Sequence, residues 1–226
     1  MQKPIEYINY YDREGKLLGT DERKKVLKRQ EMESRETGDT NIVVNCIMLF
    51  LFDTNGQVYI SKRANKPENP HLWDKSVGGH VVAGADFDMT VVAELDQELG
   101  VRADIVSDDQ SLIEHIRNPI ELTQKAVIKK IGEITNYKSK RTTREGDSWN
   151  KRMNVGLYIG IYNGGTNFKD GEVNNIELIP LTDLEKKINM NPEIYTDDIL
   201  KLIKEHAVLE AIIGYGRKVR DILDKK

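Results

Sequence analysis

Cysteine and histidine are scarce in this sequence, and their scarcity excludes two classes of protein. The single cysteine, Cys46, cannot form an intrachain disulfide, so a disulfide-stapled secreted scaffold is excluded. With one cysteine and 4 histidines, the chain also cannot build the usual cysteine-rich zinc site. Cys46 lies in an apolar run, which indicates a buried and inert thiol rather than a nucleophile.

Long apolar runs and an excess of one charge are also absent. The best apolar run, residues 42–52, is interrupted by Asn45 and falls short of the roughly 18 residues of a membrane span. Residues 1–12 lack a basic segment leading into an apolar core, so we predict no signal peptide and a cytoplasmic location. The chain has 34 Lys and Arg against 37 Asp and Glu, a net charge of -3, which offers no electrostatic basis for binding a nucleic-acid polymer or a membrane.

The 226 residues suit one large domain with flanking elements, and alternating strand and helix patterns predict an α/β sandwich. Residues 5–19 predict a β-hairpin, and the charged residues 21–36 predict a solvated helix. We therefore expect three parts: an N-terminal hairpin and charged helix at 1–40, a central domain at 41–190, and a C-terminal helix at 191–226. The last helix is expected to pack on the domain or on a dimer partner.

Within the central part, Asn41–Phe52 predicts a buried strand that turns at residues 53–56 into a returning strand. A helix is predicted over residues 86–99, with Asp86 or Asp88 as its N-cap and Gly100 just past its end. Further predicted elements are strands at 77–82, 126–134, 155–162 and 176–179, and helices at 182–188 and from 196 to about 223.

Residues 104–152 have the weakest periodicity in the chain. Within them, the stretch from Lys138 to Arg152 is basic and contains Gly, Ser and Thr, so we interpret it as an exposed hairpin or mobile loop. Basic runs of this kind are usually solvated faces. The alternative is that this stretch closes over an anionic ligand.

The chemical signal is a pair of glutamates in the helix predicted at 86–99. Glu94 and Glu98 are four residues apart, so they are neighbours on one helix face. Such a pair is by itself usually a solvated face, but two carboxylates this close also suit a hard divalent cation between them. Mg²⁺ takes one or two protein carboxylates together with water and substrate phosphate oxygens. Gln97 is placed to supply a neutral oxygen.

The segment from Gly79 to Val101 resembles the Nudix box. The pattern of that family is Gly, five residues, Glu, seven residues, and then Arg-Glu-(aliphatic)-x-Glu-Glu-x-Gly-(aliphatic). Counted from Gly79, the spacing matches without a gap, and the positions that agree are Gly79, Glu94, Leu95, Glu98, Gly100 and Val101. Three positions depart from the pattern: Ala85, Ala93 and Gln97 stand where the family has Glu, Arg and Glu.

The flanks of the box resemble a subgroup related to isopentenyl-diphosphate isomerase. The similar parts are residues 6–23, residues 57–63, Trp73-Asp74, the Gly-Gly-His-Val run at 78–81, and residues 168–184. The resemblance implies a Nudix-type α/β/α sandwich with a mixed sheet, an N-terminal hairpin and a C-terminal helix. On this basis the Nudix domain is expected at 41–190.

The family resemblance also implies a Mg²⁺- or Mn²⁺-dependent hydrolase of a nucleoside diphosphate linked to another moiety. On the matched positions, Glu94 and Glu98 are the expected metal ligands and catalytic residues, with Glu98 activating water and Gln97 as a further ligand. The expected substrate-binding residues are Arg63, Gly78, Gly79 and His80. The expected partner is a small phosphate-containing molecule, with a homodimer as a second expectation.

Two other functions stay open. The joint absence of an acid at Ala85 and a base at Ala93 removes an ion pair without orphaning a charge, and Gln97 removes a negative charge from the metal site. A catalytically silent module that binds a nucleotide or a protein is therefore the alternative. An isomerase ranks lower, because Gly78 occupies the position where that class has a cysteine. For His80, a hydrogen-bonded structural role is the preferred alternative to ligand contact.

Overall fold

A computed structural model describes residues 4–118, 120–169, 171–204 and 214. Within them, ten strands form one mixed sheet with helices on its faces, which confirms the predicted α/β class. The strands are β1 Tyr7–Tyr11, β2 Leu17–Glu22, β3 Val43–Phe52, β4 Gln57–Arg63, β5 Trp73–Asp74, β6 Val77–His80, β7 Arg102–Val106, β8 Lys125–Thr142, β9 Ser148–Ile161 and β10 Val173–Pro180. The helices are α1 Arg23–Thr37, α2 Phe87–Leu99, α3 Asp109–Ile116, α4 Leu181–Met190 and α5 Asp197–Lys204, with 3₁₀ turns at Glu121–Thr123 and Pro192–Ile194.

The centre of the sheet is β3, whose run of apolar side chains is buried on both faces. The main strand order is β10-β4-β3-β9-β8-β7, with β3 parallel to β9, β7 parallel to β8 and the other pairs antiparallel. One face of β3 presents Met48 and Phe50 to a core shared with α4 and α5. The other face presents Leu49 and Leu51 to the core that α2 covers. Because both faces of β3 are buried, the sheet is the middle one of three layers and helices form the outer two.

The first elements agree with the prediction, with one correction. β1 and β2 form the expected hairpin, and β1 also joins the sheet through Tyr10 opposite Val44 on β3. The predicted solvated helix is α1, but it is not solvated all round. The side chain of Gln30 is fully buried, and its Nε2 donates to the carbonyl oxygens of Ile42 at 2.7 Å and Arg152 at 2.9 Å. A polar residue therefore attaches this helix to the sheet, a contact that the charge pattern does not reveal.

Of the two interpretations of residues 138–152, the hairpin is confirmed and the mobile loop is wrong, but the hairpin is exposed only at its tip. These residues are the paired ends of β8 and β9, in register from Val127 opposite Ile161 to Thr142 opposite Ser148. Trp149 and Lys151 point inward and are buried. The 18-residue length of β8 went unrecognised because its outer half carries many charges. Helix α3 lies in the stretch of weak periodicity and has no counterpart among the predicted elements.

The predicted helix over residues 86–99 is confirmed as α2. Asp86 is its N-cap, with the side chain accepting a hydrogen bond from the Met89 backbone N–H at 2.7 Å. Gly100 ends the helix in the left-handed conformation at a φ of 68°. The strand and helix expected near 176–179 and 182–188 are β10 and α4.

The start of the last predicted helix is also confirmed. α5 begins one residue after Thr196, whereas most of the predicted continuation to about Leu223 lies outside the described residues. No helix in the described part of the chain is long and apolar enough to cross a lipid bilayer.

Replacing the N-cap, Asp86→Ala, tests how firmly α2 is held. We expect a loss of about 1 kcal/mol in the free energy of unfolding because one backbone N–H loses its acceptor. For a chain of this size, that loss lowers Tm by roughly 2–4 °C, measured by thermal unfolding. The control is Asp96→Ala, which removes an exposed ion pair with Lys169 and is expected to change Tm by less than about 1 °C. Equal decreases in Tm in the two variants would show that the Asp86 side chain does not stabilise the start of α2.

Candidate active site

A cavity of about 1220 Å³ opens beside β6 and is bounded by α1, α2, the loop after β4 and the β8–β9 hairpin. Its volume is somewhat above the roughly 300–1,000 Å³ of typical small-molecule sites. On the α2 side, Glu94 and Glu172 are acidic side chains that line the cavity, and the buried cations Lys75, Arg141 and Lys151 line it on the other side of β6. The cavity therefore holds two regions of opposite charge, which β6 separates.

The acidic side depends on a close approach between α2 and β6. Glu94 lies against the backbone of Gly79, so that a Cβ placed on Gly79 would be 1.9 Å from Glu94 Oε1. A residue with a side chain at position 79 would push this carboxylate away. Glu98, one turn further along, is only 4% exposed. The predicted neighbourhood of the two glutamates on one helix face is present, since the Glu98 charge acts on Glu94.

The electrostatics of this acidic group favour a proton or a cation. Burial, together with the nearby charges of Glu98 and Glu172, raises the pKa of Glu94 to about 8. Lys66 opposes them, because its Nζ is 3.8 Å from Glu98 Oε1 and forms a close ion pair with Glu172. An ammonium group thus lies among the carboxylates.

The donor set suits an open site for a hard divalent ion. In the described residues, no three His, Cys, Asp or Glu side chains are arranged as a protein-only metal cage. Two neighbouring carboxylates are nevertheless what Mg²⁺ takes when water and phosphate oxygens complete its shell. The negative charges around Glu94 are a second reason to expect a cation here. The raised pKa of Glu94 shows that neighbouring positive charge does not fully balance them. Gln97 is exposed and also lines the cavity.

On the opposite side, buried charges of alternating sign form a continuous run that we call the charge ladder. Successive members are 2.9–3.6 Å apart. In order, they are Arg63, Asp74, Lys75, Asp198, Arg141, Glu68 and Lys151. The ladder joins β4, β5, β8, β9 and α5 beneath the cavity.

The carboxylate in the interior of the ladder stays ionised. Burial alone would raise the pKa of Asp198, but Arg141 and Lys75 lower it well below the ordinary range. At the far end, burial lowers the pKa of Lys151, although Glu68 opposes the shift. Neighbouring negative charge therefore balances Lys151 less fully than neighbouring positive charge balances Asp198.

His80 adjoins the end of the ladder. Its Nε2 lies 2.8 Å from Lys151 Nζ, so the hydrogen-bonded structural position preferred for it is present. Burial and the Lys151 charge lower the pKa of His80 well below its ordinary value, so the imidazole is neutral and accepts this hydrogen bond. Contact between His80 and a ligand stays a prediction.

The other predicted substrate-binding residues lie around the same cavity. Arg63 donates to the Glu68 carbonyl oxygen at 3.0 Å and pairs with Asp74 at 3.2 Å, so its guanidinium is oriented by protein groups. Gly78 leaves room for the Lys75 side chain, since a Cβ there would be 2.5 Å from Lys75 Cε. Cys46 is buried, as predicted, and burial raises the pKa of its thiol to about 11.

Sequence reasoning missed most of the ladder. In β9, Trp149, Lys151 and Met153 alternate with less buried residues, and in β8 Ser139 and Arg141 do the same. This period-two pattern was available in the sequence, with Lys151 in phase with apolar neighbours. The many positive charges made this pattern hard to recognise as a buried strand, because lysine and arginine rarely occupy buried positions.

The chain is similar in sequence to known proteins of one family. A family model described as NUDIX domain matches residues 43–198. The uncharacterized Nudix hydrolase PA4841 of Pseudomonas aeruginosa is 29% identical over 98 residues, which are 43% of this chain and 52% of that protein. The match thus spans about half the length of that relative.

One solved structure shows the same fold, and a second is similar to a lesser degree. The crystal structure of DR0079 from Deinococcus radiodurans has a TM-score of 0.60 at 16% identity, with 88% of this chain and 98% of that chain covered. The NUDIX domain of NrtR from Shewanella oneidensis, solved with ADP ribose, has a TM-score of 0.47 at 15% identity and covers 78% of this chain and 96% of its own.

Gly79→Ala tests the close approach that orients Glu94. The added Cβ would displace the end of a flexible side chain rather than backbone, so we expect Tm to stay within about 2 °C of wild type. The displaced carboxylate is expected to lower Mn²⁺ affinity at least about tenfold, measured by calorimetry. Gly132→Ala is the matched control, since nothing lies within 4 Å of a Cβ there. Unchanged Mn²⁺ affinity in Gly79→Ala would show that Glu94 needs no such orientation.

The raised pKa of Glu94 predicts how stability depends on pH without metal. The folded pKa of about 8 lies above the ordinary 4.5, so wild type loses stability as pH rises between these values. The Glu94→Gln variant has no carboxyl group at this position, so its stability does not fall with rising pH for this reason. We expect its Tm in chelator to exceed that of wild type by about 2 °C or more near pH 8 and to converge with it near pH 5. A Tm difference that does not change with pH would contradict the shift.

Proposed function

The chain belongs to the Nudix family, and from this premise we propose that it is a divalent-metal-dependent hydrolase. Its substrate would be a nucleoside diphosphate linked to another moiety. The observation that carries the proposal is the carboxylate pair of Glu94, which lines the cavity, and the buried Glu98 one helical turn behind it, in a cavity that is also lined by buried cations. This division suits a ligand whose phosphates must be held between a cation and positive side chains.

In the proposed reaction, Glu94 and Glu98 would hold Mg²⁺ or Mn²⁺, with Gln97 as a further oxygen donor. The metal would neutralise phosphate charge and lower the pKa of the attacking water. Glu98 would accept the proton of that water. Gly79 would contribute through its missing side chain, which leaves room for the Glu94 carboxylate against the backbone of β6.

The basic residues at the cavity wall would position the substrate. Arg63 is oriented by Asp74 and the Glu68 carbonyl, so its guanidinium can meet a phosphate without first losing side-chain freedom. His80 would present a neutral ring at the same wall.

Lys66 gives a physical reason why the altered box can still operate. The family has an arginine where this chain has Ala93, and that arginine is expected to hold the box glutamates in place. Here the Lys66 ammonium contacts Glu98 and Glu172 from the loop after β4. We infer that Lys66 supplies the missing positive partner from another part of the chain.

The same lysine favours a second candidate function, a catalytically silent module that binds a nucleotide or a protein. An internal ammonium among the carboxylates supplies part of the charge that a metal ion would bring. Gln97 works in the same direction because it lowers the negative charge of the site. Ligand binding that is unaffected by chelator and is followed by no turnover would favour this module over the hydrolase.

An isomerase remains the lowest-ranked function. Gly78 occupies the position where that class has its cysteine, and Cys46 is a poor substitute. Burial keeps its thiol protonated, with a pKa of about 11, and it is 5% exposed. Formation of an allylic diphosphate by the purified protein would reverse this ranking.

The remaining expectations concern the whole protein. We propose a small phosphate-containing molecule as its partner, a cytoplasmic location, and the three-part division at 1–40, 41–190 and 191–226. A homodimer formed through the C-terminal helix is part of the same proposal. Light scattering of the full chain measures the oligomeric state directly.

Glu98→Gln tests the hydrolase. Replacing a carboxylate with an amide of the same shape removes a proton acceptor and a metal ligand, so we expect turnover to fall at least about 100-fold. The measurement is product release from a panel of nucleoside diphosphate derivatives with Mg²⁺ or Mn²⁺. Asp96→Asn is the matched control, because it makes the same chemical change on the exposed side of α2. Equal rates in Glu98→Gln and wild type would remove Glu98 from the mechanism.

A further inference from the structure

The cavity continues past β6 from the acidic side to the charge ladder. Residues on β6 face alternately: Gly79 meets Glu94 on the α2 side, whereas His80 meets Lys151 on the other. Their partners on β3 divide in the same way, with Ile47 in the α2 core and Cys46 in the opposite core. Both regions line one cavity. A single ligand can therefore reach both.

The charge ladder carries one more cation than anion. Its positive members are Arg63, Lys75, Arg141 and Lys151, and its negative members are Glu68, Asp74 and Asp198. The excess falls at the Lys151 end. There Nζ has the uncharged ring of His80 at 2.8 Å and Glu68 at 3.5 Å, and Glu68 is shared with Arg141. The Lys151 side chain is 3% exposed, and a buried charge without full compensation is costly.

Arg141, next to this end, has unused hydrogen-bonding capacity. Its side chain is 7% exposed, and one of its terminal nitrogens donates to Asp198 at 2.9 Å. Its Nε faces Glu68 Oε2 at 3.6 Å, which is an ion pair too long for a hydrogen bond. Its other terminal nitrogen meets only the weak acceptor Met153 Sδ at 3.6 Å. Buried guanidinium donors are normally satisfied by oxygen acceptors, and Arg141 lines the cavity, so the geometry leaves this terminal nitrogen as the donor for a ligand oxygen.

We propose that Lys151 and Arg141 form a binding site for a second anionic group, a carboxylate or a phosphomonoester, that the substrate carries in addition to its diphosphate. The inference rests on the proposed function, which places the diphosphate at the Glu94 side. It narrows the substrate class to nucleoside diphosphate derivatives with a further acidic group. The added anion balances the excess charge and supplies the acceptor that Arg141 lacks.

A purely structural ladder makes different predictions. If the ladder only holds the strands together, Lys151→Met lowers Tm and leaves ligand preference unchanged. If Lys151 is an anion site, Lys151→Met removes an uncompensated charge. Its Tm without anions then stays equal to or above that of wild type, and the rise in Tm that inorganic phosphate causes in wild type disappears.

The decisive experiment is calorimetry on the full chain in chelator, which prevents metal-dependent turnover. The probes are two pairs that differ by one acidic group. UDP-glucuronate and UDP-glucose differ by a carboxylate, and adenosine 3′-phosphate 5′-diphosphate and ADP differ by a phosphomonoester. Wild type is expected to bind the more acidic member of at least one pair at least about tenfold more tightly. The pair that shows the preference identifies the group.

Lys151→Met is expected to reduce this preference to less than about twofold. Lys24→Met is the matched control, since Lys24 is exposed at the same cavity and the variant loses the same charge. Arg141→Lys keeps the charge and the reach to Asp198 but loses guanidinium donors, and it is expected to reduce the preference about threefold or more. This variant decides the matter if Lys151→Met does not fold.

Equal affinities within both pairs in wild type would overturn the proposal. So would an equal loss of preference in Lys24→Met and Lys151→Met, because the effect would then be general attraction to a basic cavity. Failure of the hydrolase is separately visible. A preference for acidic ligands with equal turnover in wild type and Glu98→Gln would reject the catalytic role and retain the anion site.

Discussion

The pairing of buried charges beneath the cavity is the constraint on which the remaining architecture depends. Each member of the charge ladder lies within 3.6 Å of an opposite charge, and the members come from strands and a helix far apart in the chain. Removing one partner of a pair in the interior of the ladder, such as Asp198 with Arg141, typically costs about 3–5 kcal/mol, whereas the intact pair adds little net stability. The ladder therefore specifies how β4, β5, β8, β9 and α5 meet more than it strengthens their packing.

The acidic side of the cavity follows from a different constraint, the absence of a side chain at Gly79. Glu94 can approach β6 only because no Cβ is there, and this approach removes its carboxylate from water. Burial and neighbouring carboxylates then raise its pKa to about 8. Lys66 moderates the repulsion from a loop outside the helix. Two regions of opposite charge, one on each side of β6, thus arise from two unrelated packing events within one cavity.

Much of the fold could be predicted because its signals are local. The apolar run of β3, the cap at Asp86 and the left-handed Gly100 lie within a few residues of the elements that they define. The outer halves of β8 and β9 could not be predicted in this way. Their charges resemble a solvated face, and only pairing with distant acids makes their burial tolerable. For the candidate site, the box spacing places Glu94 and Glu98 on one helix face, but their metal-binding role stays a prediction.

Spacing along one short segment specifies the helix that carries the two glutamates, the register of the box around them and the family to which the chain belongs. The basic groups on the other side of β6 depend instead on contacts between distant parts of the chain. Lys75 meets Asp198 across 123 positions of sequence, and Lys151 meets His80 across 71. Contacts of this range depend on how the sheet folds the chain back on itself, and no local pattern records them. The basic side of the cavity is therefore a property of the fold.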